Sequence, residues 1–322
     1  MTTEPDHSRV VVVVVAYNRR DLLLESLAAL ESQSRRPDLI LVVDNASTDG
    51  TSEGVRFGFP HVALTCLEQN TGGAGGFTVG IAEAVATHGA DLIWLMDDDT
   101  VPTPTALEEL LRARESAPAS TRILASRVEW IDGRDHPMNM PRIRPFTGRI
   151  SRESAHRFGC YPVRSASFVS LMIDARAVEE HGLPVADYFL WNDDFEYTAR
   201  ILRRSTGYLV TRSVVVHKTK VFGSTNIDPG PRFKLEVRNK LWLLRRSSAL
   251  SGPERILYSL STLRRWLSTF HSSTDRAILR TGLLAGLREG LGRRPRSNAD
   301  VLAGLGTATT AVATVEAGGA RL

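Results

Sequence analysis

A chain of 322 residues, 42% of them hydrophobic, can fold as one large domain or two ordinary ones around a sizeable core, which excludes global disorder. Cys66 and Cys160 lie far apart and offer no metal-ligand spacing, so the chain is no disulfide-dense secreted scaffold and fits a reducing compartment. The net charge of +4 is unevenly spread: residues 232–296 hold fifteen Lys/Arg against four Asp/Glu, a net of +11, leaving −7 elsewhere, and that asymmetry calls for a partner.

The N-terminal "MTTEPDHSR" is polar and partly acidic, with no leader pattern, and the apolar run that follows is far shorter than the ~20 residues that span a bilayer. Runs rich in Val, Ile and Leu then alternate with helical patterns. "VVVVVA" precedes "RRDLLLESLAALESQ", "LILVVD" precedes a turn and short helix, "VALTCLEQ" precedes "GGFTVGIAEAVATHG", and "LIWLM" closes the series. Continuous rather than alternating apolar strands predict a mostly parallel α/β sheet flanked by helices on both faces.

Further on, "TPTALEELLRARE" predicts a Thr-capped helix and residues 122–129 a strand. Residues 131–163 read as a long loop or hairpin. "SASFVSLMID" resumes a strand, "DARAVEEHG" and "DDFEYTARILRR" are helical, and "GYLVTRSVVVH" reads as strands. We therefore expect an α/β unit over residues 1–230, in two parts at about 10–100 and about 101–230. Residues 231–296 form a basic amphipathic helical region, and the Ala/Gly/Thr-rich residues 297–322 a loose low-complexity tail.

The polar clusters fall at strand ends: "AYNRR", "DNASTDGT", "NTGGAGG" and "DDDT" follow the first four strands. In such sheets ligands bind beyond the carboxyl ends of the strands, so these turns converge on one crevice. Asp97, Asp98 and Asp99 repel one another when ionised, and a divalent cation relieves the conflict; Mg²⁺ is often held by one or two carboxylates plus substrate phosphates. A solvated turn with a helix cap is the alternative. The spacing is not that of an EF-hand.

Asn70, Gly73, Gly75 and Gly76 precede an apolar helix and present backbone amides to a ligand, or form a flexible turn. They match neither a P-loop nor G-x-G-x-x-G, which argues against ATPase and dehydrogenase activity. Asp44 and Asn45 offer groups that can read a base edge, and Tyr17 a ring that can stack; both positions also suit ordinary turn chemistry. In "FLWNDDFEYTARI", Asp193, Asp194 and Glu196 open a helix beside Trp191 and Asn192, which suits an acceptor site with a carboxylate base better than capping alone. His217 ends a strand before Lys218 and Lys220, and becomes a third metal ligand once a metal is accepted. His136, Asn139 and Arg142 offer polar groups for an acceptor wall, or a structural hairpin.

Together "VVVAYNR", "VVDNASTDGT", "NTGGAGGF", "WLMDDDTVP", "WNDDFEY" and "VVVH" resemble the inverting glycosyltransferases of family 2, whose GT-A fold is a Rossmann-like nucleotide-sugar-binding sheet. Within that family, "NTGGAGGF", the full "DDD" and "WNDDFEYTARI" look most like the galactofuranosyltransferases of cell-wall galactan, and the short length like the initiating enzyme. The resemblance implies transfer of galactofuranose from UDP-galactofuranose to a polyprenyl-diphosphate-linked N-acetylglucosamine-rhamnose acceptor in arabinogalactan synthesis. It implies that Ala16, Tyr17, Asn18, Arg19, Asp44, Asn45, Asn70, Gly73, Gly75, Gly76, Asp97 and Asp98 bind the nucleotide sugar, and that Asp97, Asp99 and His217 hold Mn²⁺ or Mg²⁺. Asp194 would be the general base, with Trp191, Asp193 and Glu196 at the acceptor; Asn192, between Trp191 and the acidic pair, departs from the family pattern.

The basic C-terminal segment mixes Leu/Trp faces with Arg/Lys, as an interfacial helix near anionic lipid does, which places the expected enzyme peripherally at the cytoplasmic face of the membrane. Helices packed on the catalytic unit explain the composition equally well. No nucleic-acid-binding motif is present. A dTDP-rhamnosyltransferase of the same fold and a non-catalytic nucleotide-sugar-binding protein are the competing readings. A sugar nucleotidyltransferase would need a basic Gly-rich loop that "AYNRRDLLLES" does not provide.

Overall fold

The computed structural model describes residues 8–144, 159–223 and 228–319, so the first seven residues and the middle of the 131–163 insertion lie outside the described residues. Strands β1 (Val10–Ala16), β2 (Leu39–Asp44), β3 (Ala63–Cys66) and β4 (Leu92–Asp97) alternate with helices α1 (Arg20–Glu31), α2 (Thr51–Gly58) and α3 (Gly72–Ala86). Then come β5 (Thr100–Pro102), α4 (Ala106–Ser116), β6 (Thr121–Glu129), β7 (Arg142–Ile143), β8 (Cys160–Ser165) and β9 (Ser170–Asp174). Helices α5 (Ala175–His181) and α6 (Asp193–Ile201) precede β10 (Thr206–His217), and helices α7 (Phe233–Arg245), α8 (Gly252–Ser272), α9 (Arg276–Gly292), α10 (Asn298–Val301) and α11 (Thr307–Gly319) follow.

The strands form one sheet in the order β3-β2-β1-β4-β9-β6-β10-β8-β7, with β5 paired to β10. The expected parallel arrangement holds for β3, β2, β1 and β4. Beyond β4 the sheet is mixed: β9 runs antiparallel to both β4 and β6, while β6 and β10 are parallel. An apolar run reports burial on both faces and says nothing about the direction of its neighbour. The "GYLVTRSVVVH" stretch lies in one strand of 12 residues with a register shift between Val210 and Val214.

The period-2 geometry of β1 feeds two cores. Val11, Val13 and Val15 face α3, while Val10, Val12, Val14 and Ala16 face Leu23, Leu27 and Leu30 of α1. Helix α3 lies unusually close to the sheet. A Cβ on Gly76 would stand 2.5 Å from Val15 Cγ1, which no real side chain tolerates.

The loose tail expected over 297–322 is corrected. Helices α10 and α11 are ordered parts of the structure, and Leu302, Ala308, Ala311 and Val312 are buried in the same core as Val11, Val13 and Phe77. In α8, Tyr258, Trp266 and Phe270 turn inward, whereas Ile256, Leu257, Leu260, Leu263 and Leu267 are each more than half exposed. Among the described residues no helix is long and apolar enough to cross a membrane.

Candidate active site

Asp97 ends β4, and Asp98 and Asp99 form the turn into β5, so the three consecutive aspartates meet different partners. Asp98 turns toward the β1 loop, where its Oδ2 accepts the Tyr17 amide at 2.9 Å and its Oδ1 contacts Arg19 at 3.2 Å. Asp97 and Asp99 group with His217, and Asp99 shares Arg19 with Asp98. The short β5 pairs antiparallel with the end of β10, setting Thr100 opposite His217, and the Lys218 amide donates to the Asp99 carbonyl at 2.8 Å. That pairing delivers His217, from 118 residues downstream, to the acidic turn. One ligand atom from each of Asp97, Asp99 and His217 lies within 4.8 Å of the others.

The residues fit a divalent cation. Asp99 Oδ1 is buried with no directed hydrogen bond, although His217 Nε2 is 3.0 Å away. His217 Nδ1 lies 2.8 Å from Asn139 Oδ1, so assigning the proton to Nδ1 leaves the Nε2 lone pair toward the acidic turn. Burial and the neighbouring Asp99 push Asp97 up to about 6. Burial pushes Asp98 up to about 7 despite Arg19. Burial acts against the His217 imidazolium, but Asp99 and Asp97 outweigh it and raise its pKa. Burial likewise opposes ionisation of Asp99, yet His217 and Arg19 hold it below the usual carboxylate range. Without a cation, His217 and Arg19 supply the missing positive charge; Arg19 also pairs closely with Asp99.

Around this turn, Ala16 ends β1, Tyr17 is 45% exposed, and Asn18, at φ 52°, accepts the Thr48 amide at 2.8 Å. Asp44 and Asn45 are both buried and internally bonded. Asp44 Oδ1 accepts the Ser47 amide at 2.9 Å and its Oδ2 takes the Ser52 hydroxyl. Asn45 accepts the Thr71 amide at 2.8 Å and donates to the Gly72 carbonyl at 2.9 Å. Asn45 thereby ties the β2 loop to α3. Asn70 Oδ1 accepts the Gly72 amide at 2.8 Å. Of the glycines expected to face a ligand, Gly73 has open space where a side chain would stand, whereas Gly75 is closed by Thr71 and Gly76 by Val15. Lys218 pairs with Glu25 of α1.

The second acidic cluster opens α6. Phe189, Trp191 and Asn192 have φ of 64°, 67° and 68°, a strained left-handed series. It persists because α7 clamps it: Asn239 Nδ2 lies 2.9 Å from the carbonyls of Tyr188, Leu190 and Trp191, and Arg238 donates to the Asp187 and Tyr188 carbonyls. Trp191 and Asp194 line a cavity of about 490 Å³, and Asp193 is buried beside them. Burial raises both carboxyls; Asp194 also feels the Phe195 amide, Lys240 and Arg142, which act against that rise. The expected acceptor contact of Glu196 is corrected. Two residues past Asp194, it points about 200° round the helix, where it pairs with Arg200 at 2.9 Å and takes the Ser247 hydroxyl at 2.6 Å.

Of the three residues expected on an acceptor wall, Asn139 and Arg142 line this cavity, Asn139 also bonding His217, whereas His136 sits beside His217 with ring centroids 5.2 Å apart. One contributor was missed in the sequence. Lys240 lines the cavity from α7; its only signal was the polar run Arg238-Asn239-Lys240, too long for one solvated face of an amphipathic helix.

The mixed sheet flanked by helices, with its helical C-terminal region, is the GT-A fold of glycosyltransferases. The family model described as Glycosyl transferase family 2 matches residues 11–181, more than half of the chain, and the protein belongs to that family; it is a glycosyltransferase. Among its relatives, galactofuranosyltransferase GlfT1 of Mycolicibacterium smegmatis is 35% identical over 208 residues, covering 61% of this chain and 67% of that one. Galactofuranosyltransferase GlfT1 of Mycobacterium tuberculosis is 45% identical over 93 residues, covering 28% and 30%. S. aureus TarS residues 1–349 in complex with UDP shares the fold at a TM-score of 0.60 and 15% identity, covering 97% of this chain and 91% of that one. The mannosyltransferase PcManGT of Pyrobaculum calidifontis, in complex with GDP-Man and Mn²⁺, does so at 0.54 and 20%, covering 99% and 88%.

Proposed function

We propose that the protein transfers galactofuranose from UDP-galactofuranose, with inversion, to a polyprenyl-diphosphate-linked N-acetylglucosamine-rhamnose acceptor, starting a cell-wall galactan. The observation that carries this reading is the placement of Asp194 and Trp191 on one cavity, in a chain whose Asp97, Asp99 and His217 bring ligand atoms within 4.8 Å of one another. The sugar rests on the similarity to the two galactofuranosyltransferases.

Asp97, Asp99 and His217 would hold Mn²⁺ or Mg²⁺, which supplies Lewis-acid stabilisation of a diphosphate leaving group. Tyr17, Asn18, Arg19 and Gly73 line the approach to that turn and serve the nucleotide. Asp194, its pKa raised toward neutrality, takes the proton of an acceptor hydroxyl. The acceptor oxygen then bonds to the anomeric carbon as the bond from that carbon to the UDP oxygen breaks, and UDP leaves with the electron pair. Attack opposite the leaving group inverts the centre, with no covalent sugar on the protein.

The exposed leucine stripe of α8, in a segment of net charge +11, supports contact with an anionic membrane surface on the cytoplasmic side. The test of function is radiolabelled transfer with Mn²⁺, offering UDP-galactofuranose and dTDP-rhamnose separately to a synthetic lipid-diphosphate disaccharide. Product from the UDP donor alone is expected. Product from the dTDP donor alone overturns the sugar, and product from neither, with UDP still bound, favours a non-catalytic binding protein.

A further inference from the structure

The cavity beside Asp194 holds cations that lack carboxylate partners. Lys240 on α7 is only 7% exposed and lines the cavity, yet among the described residues it donates no hydrogen bond and makes no ion pair. Its close neighbour is the Phe195 ring, with 5.2 Å from ammonium to centroid. The Arg142 guanidinium stands 5.4 Å from the same centroid and 5.4 Å from that of Tyr258, also without an ion pair. Arg265 is different, because Glu236 pairs with it. Asp194 attracts both Lys240 and Arg142 but makes an ion pair with neither.

An ammonium removed from water without an acceptor is costly, and a second cation nearby adds repulsion. Hydrophobic packing alone would select Leu or Met at 240. With Glu236 taken by Arg265, the wall sets Lys240 and Arg142 against one carboxylate, Asp194, that pairs with neither, and this excess of positive charge suits an anion. Its anion cannot be the donor diphosphate if that group sits at the Asp97, Asp99 and His217 turn, since those residues do not line this cavity.

We infer that Lys240 and Arg142 form a subsite for a phosphate-class group carried by the acceptor, on the same cavity as Asp194. The inference rests on the acceptor reading given above and adds the residues that select a phosphorylated acceptor over a neutral glycan. Lys240 and Arg142 hold the anion while Trp191 and Asp194 meet the sugar.

The test is binding to the full chain with saturating UDP and Mn²⁺, read by fluorescence of Trp191 and Trp266, which line the cavity. Three probes are compared: an alkyl disaccharide, the same disaccharide on an alkyl diphosphate, and the alkyl diphosphate without sugar. The diphosphate-linked disaccharide is expected to bind roughly 10- to 100-fold tighter than the neutral one. Lys240→Met and Arg142→Met should each shrink that ratio about tenfold, with Lys240→Arg restoring most of it. Because Arg142 is exposed, its variant keeps the test valid if Lys240→Met misfolds, and retained UDP binding reports folding. Equal affinity for charged and neutral disaccharides overturns the subsite alone, as does an unchanged ratio in both variants. Binding of the sugar-free diphosphate as tightly as the full acceptor reassigns the site to lipid headgroups. Binding of neither disaccharide removes the acceptor reading and the subsite with it.

Discussion

Asn139 Oδ1 lies 2.8 Å from His217 Nδ1 and thereby fixes which nitrogen of that ring faces Asp99. Removing the amide frees the ring to rotate and to change tautomer. Asn139→Leu is expected to weaken Mn²⁺ binding about 10- to 100-fold, measured by calorimetric titration, while the circular dichroism spectrum stays the same. Unchanged affinity would show that Asn139 only packs there.

UDP binding should depend on the cation. With Mn²⁺, UDP at 100 times its Kd is expected to stabilise the protein by about 2.7 kcal/mol, read as a rise in Tm. Excess EDTA should remove most of that rise, and Asp99→Asn should mimic EDTA.

Asp194 must be ionised to accept a proton, so kcat/KM should fall as pH drops through its pKa. Burial sets that pKa above the ordinary value of about 3.9. Lys240 and Arg142 act against the rise, so Lys240→Met should move the acid limb to higher pH. Asp194→Asn should cost roughly 10²- to 10⁴-fold in turnover while UDP binding persists. Turnover at the native level would eliminate Asp194 as the base.

Glu254 supplies a stability test remote from the chemistry. Burial alone would raise its carboxyl, but Arg164 and the Ser251 amide and hydroxyl pull it down to about 2. A depressed carboxyl stabilises the fold above its unfolded value and loses that contribution as pH falls toward 2. Glu254→Gln should therefore cost about 1 kcal/mol at pH 7, allowing for solvent screening, and the deficit should vanish near pH 2.

The leucine stripe of α8 predicts co-sedimentation with vesicles containing anionic lipid and little with neutral ones. Leu260→Glu with Leu267→Glu should abolish it without loss of Tm, since both side chains are more than 60% exposed. Sedimentation velocity separates the other outcome, self-association through the same stripe, which the double variant would also remove.

The strands and their polar ends were legible because each carries a local signal: an unbroken apolar run, then turn residues. Local patterns could not say that β9 inserts antiparallel between β4 and β6, nor that β5 would carry Thr100 to His217, because pairing across 100 residues leaves no trace in periodicity. Asp97, Asp99 and His217 do come together as the family resemblance implied. The partners of Glu196 were not legible, because residue type shows what a side chain can bond, but the nearest partner in three dimensions decides what it does bond. Lys240 was hidden in a segment whose charge was read in aggregate.

The packing of Leu302, Ala308 and Val312 against the core that holds Val11 and Val13 has a consequence for biosynthesis. That core cannot close when the first four strands leave the ribosome. It waits for some 200 more residues, during which the part of α3 that Leu302 and α11 cover is exposed. Early strands must therefore be sheltered from self-association, by chaperone or by slow elongation, until the last helix arrives.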